Sequence, residues 1–296
     1  MSKIQDLIDV FKNLVKYEGI HSTLIEGIEL MRLDHNLSPI SVLQEPALVF
    51  MLQGQKRSYL GGEVFSFQQG QCLIVSVSLP FDCDTVASIE EPMLAIRMNL
   101  DADMVNELVN KAYFEHFDIK PLTTGMCVIE YDNEITEILM RILKLLSKQK
   151  KQDVLILGHQ IKRELLYHVL QHSGADAIKG LIIKGNLRPI YKICDFLQNH
   201  YHEKITVDEL AYQANMSISA FHKSFKKVTQ LSPLQYLKVI RLHKAKQLLV
   251  SNQVNISEIS SLVGYQNASQ FSREFKKYFG VPPKKFEFVG DPNNDN

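Results

Sequence analysis

The chain has 296 residues, of which 45% are hydrophobic and 22% charged, and its formal net charge is zero. This length favours two domains of roughly 100–200 residues each, and the composition is typical of a soluble globular protein. There is no apolar run of about 18 residues and no apolar signal core near the start, so we expect a cytoplasmic protein with no membrane partner. Four cysteines, Cys72, Cys83, Cys127 and Cys194, lie far apart and form no C-x-x-C pair. Reduced thiols are therefore favoured over disulfides or a zinc site.

The neutral total charge conceals an asymmetry along the chain. Residues 188–296 carry 15 Lys and Arg against 9 Asp and Glu, a net charge of +6. Residues 1–187 carry 18 against 24, a net charge of −6. This pattern predicts a nucleic-acid-binding module attached to an acidic regulatory module.

The N-terminal part begins with a predicted helix over residues 4–18, followed by short polar turns up to about residue 38. From about 41 to 100, short apolar or alternating runs are broken by glycine and proline. Such runs favour antiparallel strands, so the sequence predicts a small β-barrel or sandwich there.

After Leu100 the spacing of apolar residues becomes helical near 101–117, 132–149 and 153–173. The second of these helices carries an apolar stripe, and we expect a homodimer through it; the alternative is a helix packed on its own barrel. The stripe consists of Ile135, Ile138, Leu139, Ile142, Leu143 and Leu146. A glycine-bearing stretch at 176–188 is predicted to link a domain over 1–175 to a second over 189–290.

The C-terminal region has chemical signals for several helix starts. Capping boxes begin at Thr206, Asn255 and Asn267, where each side chain satisfies a free backbone N–H. Pro233 stands where the first residue of another helix is expected, because its missing N–H costs nothing there. Gly280 and the prolines after it predict the end of the last helix.

The same region contains an internal repeat. The stretch VDELAYQANMSISAFHKSFKKVTQLSP, from Val207, aligns with ISEISSLVGYQNASQFSREFKKYFGVPP, from Ile256. The offset is 49 residues before the central turn and 50 after it. Each copy predicts a helix, a short turn and a second helix, with Asn215 and Gly264 at turns that favour a left-handed backbone.

The second helix of each copy has one face suited to DNA. Phe221 and Phe225 are four residues apart and share the buried face, as do the matching phenylalanines of the second copy. The opposite face presents short polar side chains and long donors, which suit base edges and phosphates. The predicted DNA-binding residues are Ser219, His222, Lys223, Lys226, Lys227, Ala268, Ser269, Gln270, Ser272, Arg273, Lys276 and Lys277.

Residues 190–287 resemble the AraC/XylS family of bacterial regulators. The resemblance is carried by FSREFKKYFGVPPKKF (271–286), by FHKSFKKVTQLSPLQYL from Phe221, and by the connecting RLHKAKQLL. It implies two helix-turn-helix units that are joined by one helix and address the major groove of promoter DNA, and it implies contact with RNA polymerase. His222 stands where the family commonly has Gln or Arg, and Ser219 where aromatic residues occur, which predicts weak reading by the first copy.

Residues 25–175 resemble the N-terminal domain of one branch of these regulators. This implies a cupin-like barrel followed by dimerisation helices, so the expected fold is α+β, with a small-molecule effector bound in the barrel. Arg57 and Arg97 are candidate anchors for an anionic effector, and Cys72 is a further candidate effector residue.

Two alternatives stay open at this stage. One is a DNA-binding regulator that is switched by cysteine redox or electrophile chemistry. The other is a metal-dependent cupin enzyme fused to a DNA-binding domain. It is disfavoured because residues 41–115 contain no histidine. We therefore expect a protein that is not an enzyme, with no cofactor and no metal.

Overall fold

The computed structural model describes residues 3–111, 124–148, 150–172, 176–179, 188–251 and 255–286. Its strands are β1 Gly19–Ser22, β2 Ile28–Leu33, β3 Leu37–Gln44, β4 Ala47–Gln53, β5 Gln55–Leu60, β6 Glu63–Gln68, β7 Gln71–Val75, β8 Leu79–Val86, β9 Met93–Asn99 and β10 Met126–Glu130. Its helices are α1 Lys3–Leu14, α2 Ala102–Lys111, α3 Asn133–Ser147, α4 Lys151–Gln171, α5 Asp176–Lys179, α6 Arg188–Asn199, α7 Val207–Gln213, α8 Ile218–Thr229, α9 Pro233–Ser251, α10 Ile256–Leu262 and α11 Ala268–Phe279. The α+β fold predicted from the sequence is confirmed.

The strands of the N-terminal domain form two antiparallel sheets, which together are called the barrel. One has the order β1-β2-β9-β4-β7-β10 and the other the order β3-β8-β5-β6. The central strand β4 is buried on both faces, because alternate residues point to opposite sides of a sheet. Leu48 and Phe50 join a core with α1, α3 and α4, whereas Val49 and Met51 join the core between the sheets.

Three strands were missed by the sequence pattern. β1 and β2 lie where polar turns were expected, and β10 lies between two predicted helices. β1 and β10 are the outer strands of their sheet, and each pairs along one side only. Edge strands are short and half exposed, so they lack the apolar alternation that marks a central strand. The first helix is shorter than predicted, because it ends at Leu14. For the helix predicted near 101–117, residues 112–117 lie outside the described residues.

The apolar stripe of α3 is not an exposed dimer seam, which corrects the sequence-based prediction. Each of its six residues is at most 8% exposed within the single chain. α3 packs between α1 and α4, over the outer face of the six-stranded sheet. The stripe is wide because it faces two helices and a sheet at once. The residues that were predicted to form the dimer seam and are buried within the chain are Ile135, Ile138, Leu139, Ile142, Leu143 and Leu146.

The predicted linker begins as structured chain. Residues 176–179 form α5, and Ala177 and Ile178 are buried in the same core as α3. Residues 180–187 of the predicted linker lie outside the described residues. Among the helices of the described ranges, none is long and apolar enough to cross a membrane.

The C-terminal helices divide between two cores. Side chains of α6, α7, α8 and the first half of α9 are continuous with the core between the two sheets. Side chains of α10, α11 and the second half of α9 form a separate core around Phe271 and Phe275. The helix α9 therefore crosses from one packed unit to the other.

Candidate nucleic-acid interface

The internal repeat folds as two helix-turn-helix units of the same dimensions. In the first unit, α7 has 7 residues and α8 has 12. In the second unit, α10 has 7 residues and α11 has 12. The turn between them has four residues in the first unit and five in the second, which accounts for the one-residue change of offset. Asn215 and Gly264 adopt left-handed φ angles of 52° and 87°, as predicted.

Each helix of the two units starts at a side-chain cap. Thr206 forms a complete capping box with Glu209, while Asn255 and Asn267 accept hydrogen bonds from backbone N–H groups of α10 and α11. Ser217 caps α8 by accepting from the Ala220 N–H, a cap that the sequence analysis missed. Since capping by a side chain stabilises a helix by about 1 kcal/mol, the positions where α8 and α11 begin are fixed locally.

A pair of phenylalanines fixes which face of each second helix points outward. The rings of Phe221 and Phe225 have centroids 5.5 Å apart, and those of Phe271 and Phe275 are 5.6 Å apart. All four side chains are fully buried. Because residues three or four apart share a face of a helix, the opposite face is left toward solvent.

The predicted DNA-binding residues lie on these outward faces. The exposed members are Ser219, Lys223, Lys226, Lys227, Ser269, Gln270, Arg273, Lys276 and Lys277, and the half-buried members are His222, Ala268 and Ser272. Among the described residues, none of the six cations in this set forms a salt bridge with a carboxylate. Carboxylates of the described residues therefore do not neutralise the basic faces of the two units, and these faces are able to bind phosphate.

Two local contacts organise the outward face of α11. The Gln270 amide donates to the Glu274 carboxylate at 3.2 Å, and the Arg273 guanidinium lies 3.4 Å from the Ser269 carbonyl. Both contacts are between residues four apart on one helix, and both are exposed. They keep the two long side chains along the helix axis and leave Arg273 as the strongest hydrogen-bond donor of the face.

The helix α9 sets the separation of the two units. It has 19 residues and so spans about 28 Å at the α-helical rise. Arg241, near its middle, donates to the carbonyls of Tyr201 and Glu203 at 2.7 Å each. These bonds tie α9 to the segment after α6, which restrains its direction.

One exposed aromatic residue next to the first turn was missed by the sequence analysis. Tyr212, at the end of α7, is 84% exposed. A large aromatic side chain left in solvent beside a basic face is suited to stacking or phosphate contact. Its signal in the sequence is that it stands outside the apolar positions shared by the two copies.

The first unit is docked on the barrel. The N–H of Gly125, just before β10, donates to the carbonyl of Val228 at the end of α8, at 2.9 Å. The backbone of Gly61, in the β5–β6 turn with φ of 60°, approaches Gln230 so closely that an added Cβ would be 2.5 Å from the Cβ of Gln230. α9 also packs against β3 and β8. The regulatory domain thus contacts the recognition helix of the first unit directly.

The two arginines predicted to anchor an effector each pair with a carboxylate of the barrel, and their role toward an effector stays a prediction. Arg57 Nε lies 2.9 Å from Asp84 Oδ1, and Arg97 Nη1 lies 2.5 Å from Glu29 Oε2. Burial acts to raise the pKa of Asp84, but hydrogen bonds from Tyr59 and Arg57 outweigh it and lower that pKa. The carboxylates therefore neutralise both guanidinium groups.

Cys72, the further candidate effector residue, lies in the six-stranded sheet. It is fully buried in the core beneath α3. Burial raises the pKa of its thiol well above the ordinary value, with a further contribution from Cys127. A buried, protonated thiol is a poor nucleophile, which argues against sensing at Cys72. Within the described ranges, no three His, Cys, Asp or Glu side chains are grouped so as to hold a metal ion.

A cavity of about 780 Å³ lies elsewhere, at one end of the barrel. It is bounded by the β4–β5 and β6–β7 turns, by the loops beside β3 and after β8, and by α1. Its lining includes Gln5, Asn36, Gln53, Gln55, Gln68 and Gln69, and it contains none of Arg57, Cys72 and Arg97. We call it the amide cavity.

A β-rich domain followed by two helix-turn-helix units with unpaired basic faces defines a DNA-binding transcription regulator. Residues 24–177 match the family model of the AraC-type transcriptional regulator N-terminus, and residues 210–287 match a helix-turn-helix domain model. The first match covers more than half of the chain. The chain belongs to the AraC-type transcriptional regulators.

Curated relatives are regulators of the same kind. The chain is 24% identical over 256 residues to the lactose operon transcription activator of Staphylococcus xylosus, covering 86% of this chain and 88% of that protein. It is 32% identical over 132 residues to the raffinose operon transcriptional regulatory protein RafR of Pediococcus pentosaceus, covering 44% of this chain and 46% of that protein.

Solved structures of ToxT from Vibrio cholerae share the fold. An apo variant of ToxT superposes with a TM-score of 0.61 at 12% identity, over 91% of this chain and 98% of that chain. ToxT bound to an unsaturated fatty acid superposes with a TM-score of 0.54 at 11% identity, over 86% and 92%. At this identity the similarity establishes the fold alone.

Proposed function

We propose that this regulator places α8 and α11 in successive major grooves on one face of promoter DNA, and that a small molecule bound in its N-terminal domain controls this binding. The DNA contacts are assigned to the outward-facing residues of both units, with Lys223 and Arg273 at matching positions. Contact with RNA polymerase, which the family implies, stays a prediction.

One observation carries the DNA-binding geometry. The two recognition helices have the same length and both present a basic outward face, and a single helix of about 28 Å connects their units. Successive major-groove faces of B-DNA are roughly 34 Å apart. A small bend of the DNA toward the protein brings the spacing of the two groove faces closer to the length of α9.

The test is a change of spacing in the DNA. An operator is selected from a random duplex pool, and five base pairs are then inserted between its two contacted segments, which rotates them by about half a turn. We expect the insertion to reduce affinity as much as destroying one segment does. Unchanged affinity after the insertion of five base pairs would contradict binding by both units to one face of the DNA.

Effector control is supported by the docking of the first unit on the barrel. A ligand can change DNA binding only if it binds two domain arrangements with different affinity. The amide cavity touches α1 and four loops of the barrel. β5 begins and β8 ends at this cavity, and the opposite ends of both strands lie beside the docked unit. ToxT binds a fatty acid in one solved structure, but the amide cavity has no cation to receive a carboxylate, so that ligand is not carried over.

A homodimer is proposed through α4 in place of the buried stripe of α3. Leu155 and Ile156 are 76% and 65% exposed, and Leu157 follows them. Contiguous exposed aliphatic side chains mark protein contacts more often than scattered ones do. Light scattering should give a dimer at tens of micromolar and a monomer for the Leu155→Ser, Ile156→Ser double variant. A monomeric parent protein, with and without DNA, would contradict the proposal.

A further inference from the structure

The recognition helix α11 contains a single acidic residue among its cations. Glu274 lies between Arg273 and the pair Lys276 and Lys277, on a helix whose other side chains are neutral or basic. A carboxylate at this place repels the phosphates of DNA and so opposes the attraction that the cations supply. Both oxygens of Glu274 accept hydrogen bonds, and the two donors indicate what this carboxylate does.

One oxygen of Glu274 is held from within the second unit. Its Oε2 accepts a hydrogen bond of 2.9 Å from the hydroxyl of Tyr265, which lies in the turn between α10 and α11. Tyr265 is 8% exposed, and its ring packs edge-on against Phe271 with centroids 5.4 Å apart. Burial raises the pKa of Tyr265, and Glu274 raises it further, so the hydroxyl keeps the proton that it donates. The core of the unit therefore fixes the position of the carboxylate.

The connecting helix α9 restrains the same tyrosine. The guanidinium carbon of Arg241 lies 5.9 Å from the centroid of the Tyr265 ring. This guanidinium also donates to the carbonyls of Tyr201 and Glu203, which keeps it in place. Contacts thus lead from α9 through Tyr265 to Glu274, beside the outward face of α11.

The other oxygen of Glu274 sets the orientation of the Gln270 amide. Its Oε1 accepts from the side-chain nitrogen of Gln270 at 3.2 Å. A carboxylate only accepts hydrogen bonds, so the NH₂ group of the amide must face Glu274 and its carbonyl oxygen must face elsewhere. No other described residue bonds to this side chain, which leaves one N–H and the carbonyl oxygen of Gln270 for a partner outside the protein.

The major-groove edge of adenine matches this remaining pair of groups. Adenine offers an acceptor at N7 and a donor at N6, and a glutamine amide bonds both at once. Guanine offers two acceptors, N7 and O6, so the fixed carbonyl oxygen of Gln270 would face a second acceptor. An amide that is free to turn over can place its NH₂ group against O6 and lose this discrimination.

The first unit has no counterpart of this arrangement. Ala220 and Ser224 stand at the positions that match Gln270 and Glu274 in the repeat. Alanine has no amide to orient, so base reading of this kind belongs to the second unit.

We infer that Glu274 is a positioning residue that orients Gln270 to select adenine and exclude guanine at one base pair of the operator. The inference rests on the proposed placement of α11 in a major groove. Glu274 contacts no base itself: it acts through Gln270, and Tyr265 holds it in position.

The experiment measures base preference at each position for the full chain and its variants, by selection from a random duplex pool and sequencing of the bound DNA. Gln270→Ala identifies the base pair that Gln270 reads, because the preference for adenine is lost there. We expect Glu274→Ala to reduce the preference for adenine over guanine at that same base pair by about tenfold and to leave the other positions unchanged. Since this variant also removes a negative charge, its affinity for unrelated duplexes should not fall. A purely structural role would instead lower affinity for all duplexes alike.

Two further variants serve as a second test and a control. Tyr265→Phe keeps the ring but frees the Glu274 carboxylate, so it should reduce the preference at the same base pair; it replaces Glu274→Ala if thermal unfolding shows that the alanine variant does not fold. Ser224→Ala, at the matching position of the first unit, should leave the preference at every base pair as in the parent.

The outcomes separate this inference from the placement of α11. The inference is overturned if Gln270→Ala changes no base preference, if the base read by Gln270 is not adenine, or if that preference survives in both Glu274→Ala and Tyr265→Phe. The placement of α11 stands in each of these cases as long as Arg273→Ala alters base preference. Parent-like preference at every base pair in both Gln270→Ala and Arg273→Ala would contradict the placement itself.

Discussion

The hydroxyl of Tyr236 donates a hydrogen bond of 2.6 Å to the backbone carbonyl of Ser78, and both groups are buried. Tyr236 stands at the start of the helix that joins the two DNA-binding units, and Ser78 lies between two strands of the barrel. The bond spans 158 residues of sequence. A regulatory domain and the first DNA-binding unit are thus tied by a specific polar contact inside a shared apolar core.

Removing the Tyr236 hydroxyl should destabilise the contact between the barrel and the first DNA-binding unit. Tyr236→Phe keeps the ring, whose edge packs on Phe225 at 5.3 Å, but leaves the Ser78 carbonyl buried without its donor. We expect the free energy of unfolding to fall by about 1–3 kcal/mol in denaturant titration. Tyr212→Phe removes the hydroxyl of an exposed tyrosine and should have no effect. Equal stability of the two variants would show that the contact contributes nothing.

The two DNA-binding units should differ in how they unfold. Phe225 and Phe275 occupy matching positions, but Phe225 belongs to the core shared with the barrel and Phe275 to the separate core of the second unit. Each substitution by alanine should cost about 3–5 kcal/mol locally. Hydrogen exchange should then accelerate in barrel strands for Phe225→Ala, and only in α10, α11 and the second half of α9 for Phe275→Ala. Identical exchange patterns would contradict the division into two cores.

The outward face of α11 should carry both sequence preference and general affinity. Arg273→Ala should weaken binding to a selected operator by about 1–3 kcal/mol and relax its sequence preference, as expected for a base contact. Lys276→Ala should weaken binding to all duplexes alike and reduce the salt slope by about one phosphate contact. Lys144→Ala, the same charge change on the exposed side of α3, is the control. Parent-like binding by both α11 variants at physiological salt would contradict the assignment.

Acid should destabilise the second unit through His243. Burial lowers the pKa of this side chain to about 3, with repulsion from Lys246 as a further cause. Its ring nitrogen Nε2 faces the Tyr278 hydroxyl at 3.2 Å. Between about pH 6.5 and pH 3 the unfolded chain binds a proton that the folded chain does not, so the free energy of unfolding falls as pH falls.

The contribution of His243 should approach about 1.4 kcal/mol per pH unit within that window. It is measured as the difference in pH dependence between the parent and His243→Gln, which cannot titrate. His222→Gln makes the same substitution at a half-buried residue of α8 and is the matched control. Its free energy of unfolding should depend on pH as that of the parent does. The same slope in all three proteins would show that His243 is accessible to protons when folded.

The sequence by itself determined the DNA-binding half. The caps at Thr206, Asn255 and Asn267, the left-handed turns at Asn215 and Gly264 and the phenylalanine pairs all act within a few residues of chain. Local hydrogen bonding and side-chain periodicity are sufficient for such features, so the repeat alone was enough to predict them. The outward position of Lys223 and Arg273 follows from the same periodicity.

Only the tertiary structure decided which distant segments meet in the regulatory half. Arg57 meets Asp84, and Arg97 meets Glu29 across 68 residues of sequence. The stripe of α3 faces two helices and a sheet of its own chain, and no periodicity within α3 distinguishes that partner from a second copy. The amide cavity is assembled from α1 and four loops, none of which carries a recognisable motif. These features depend on which distant segments meet, and that is set by sheet register and core packing over the whole domain.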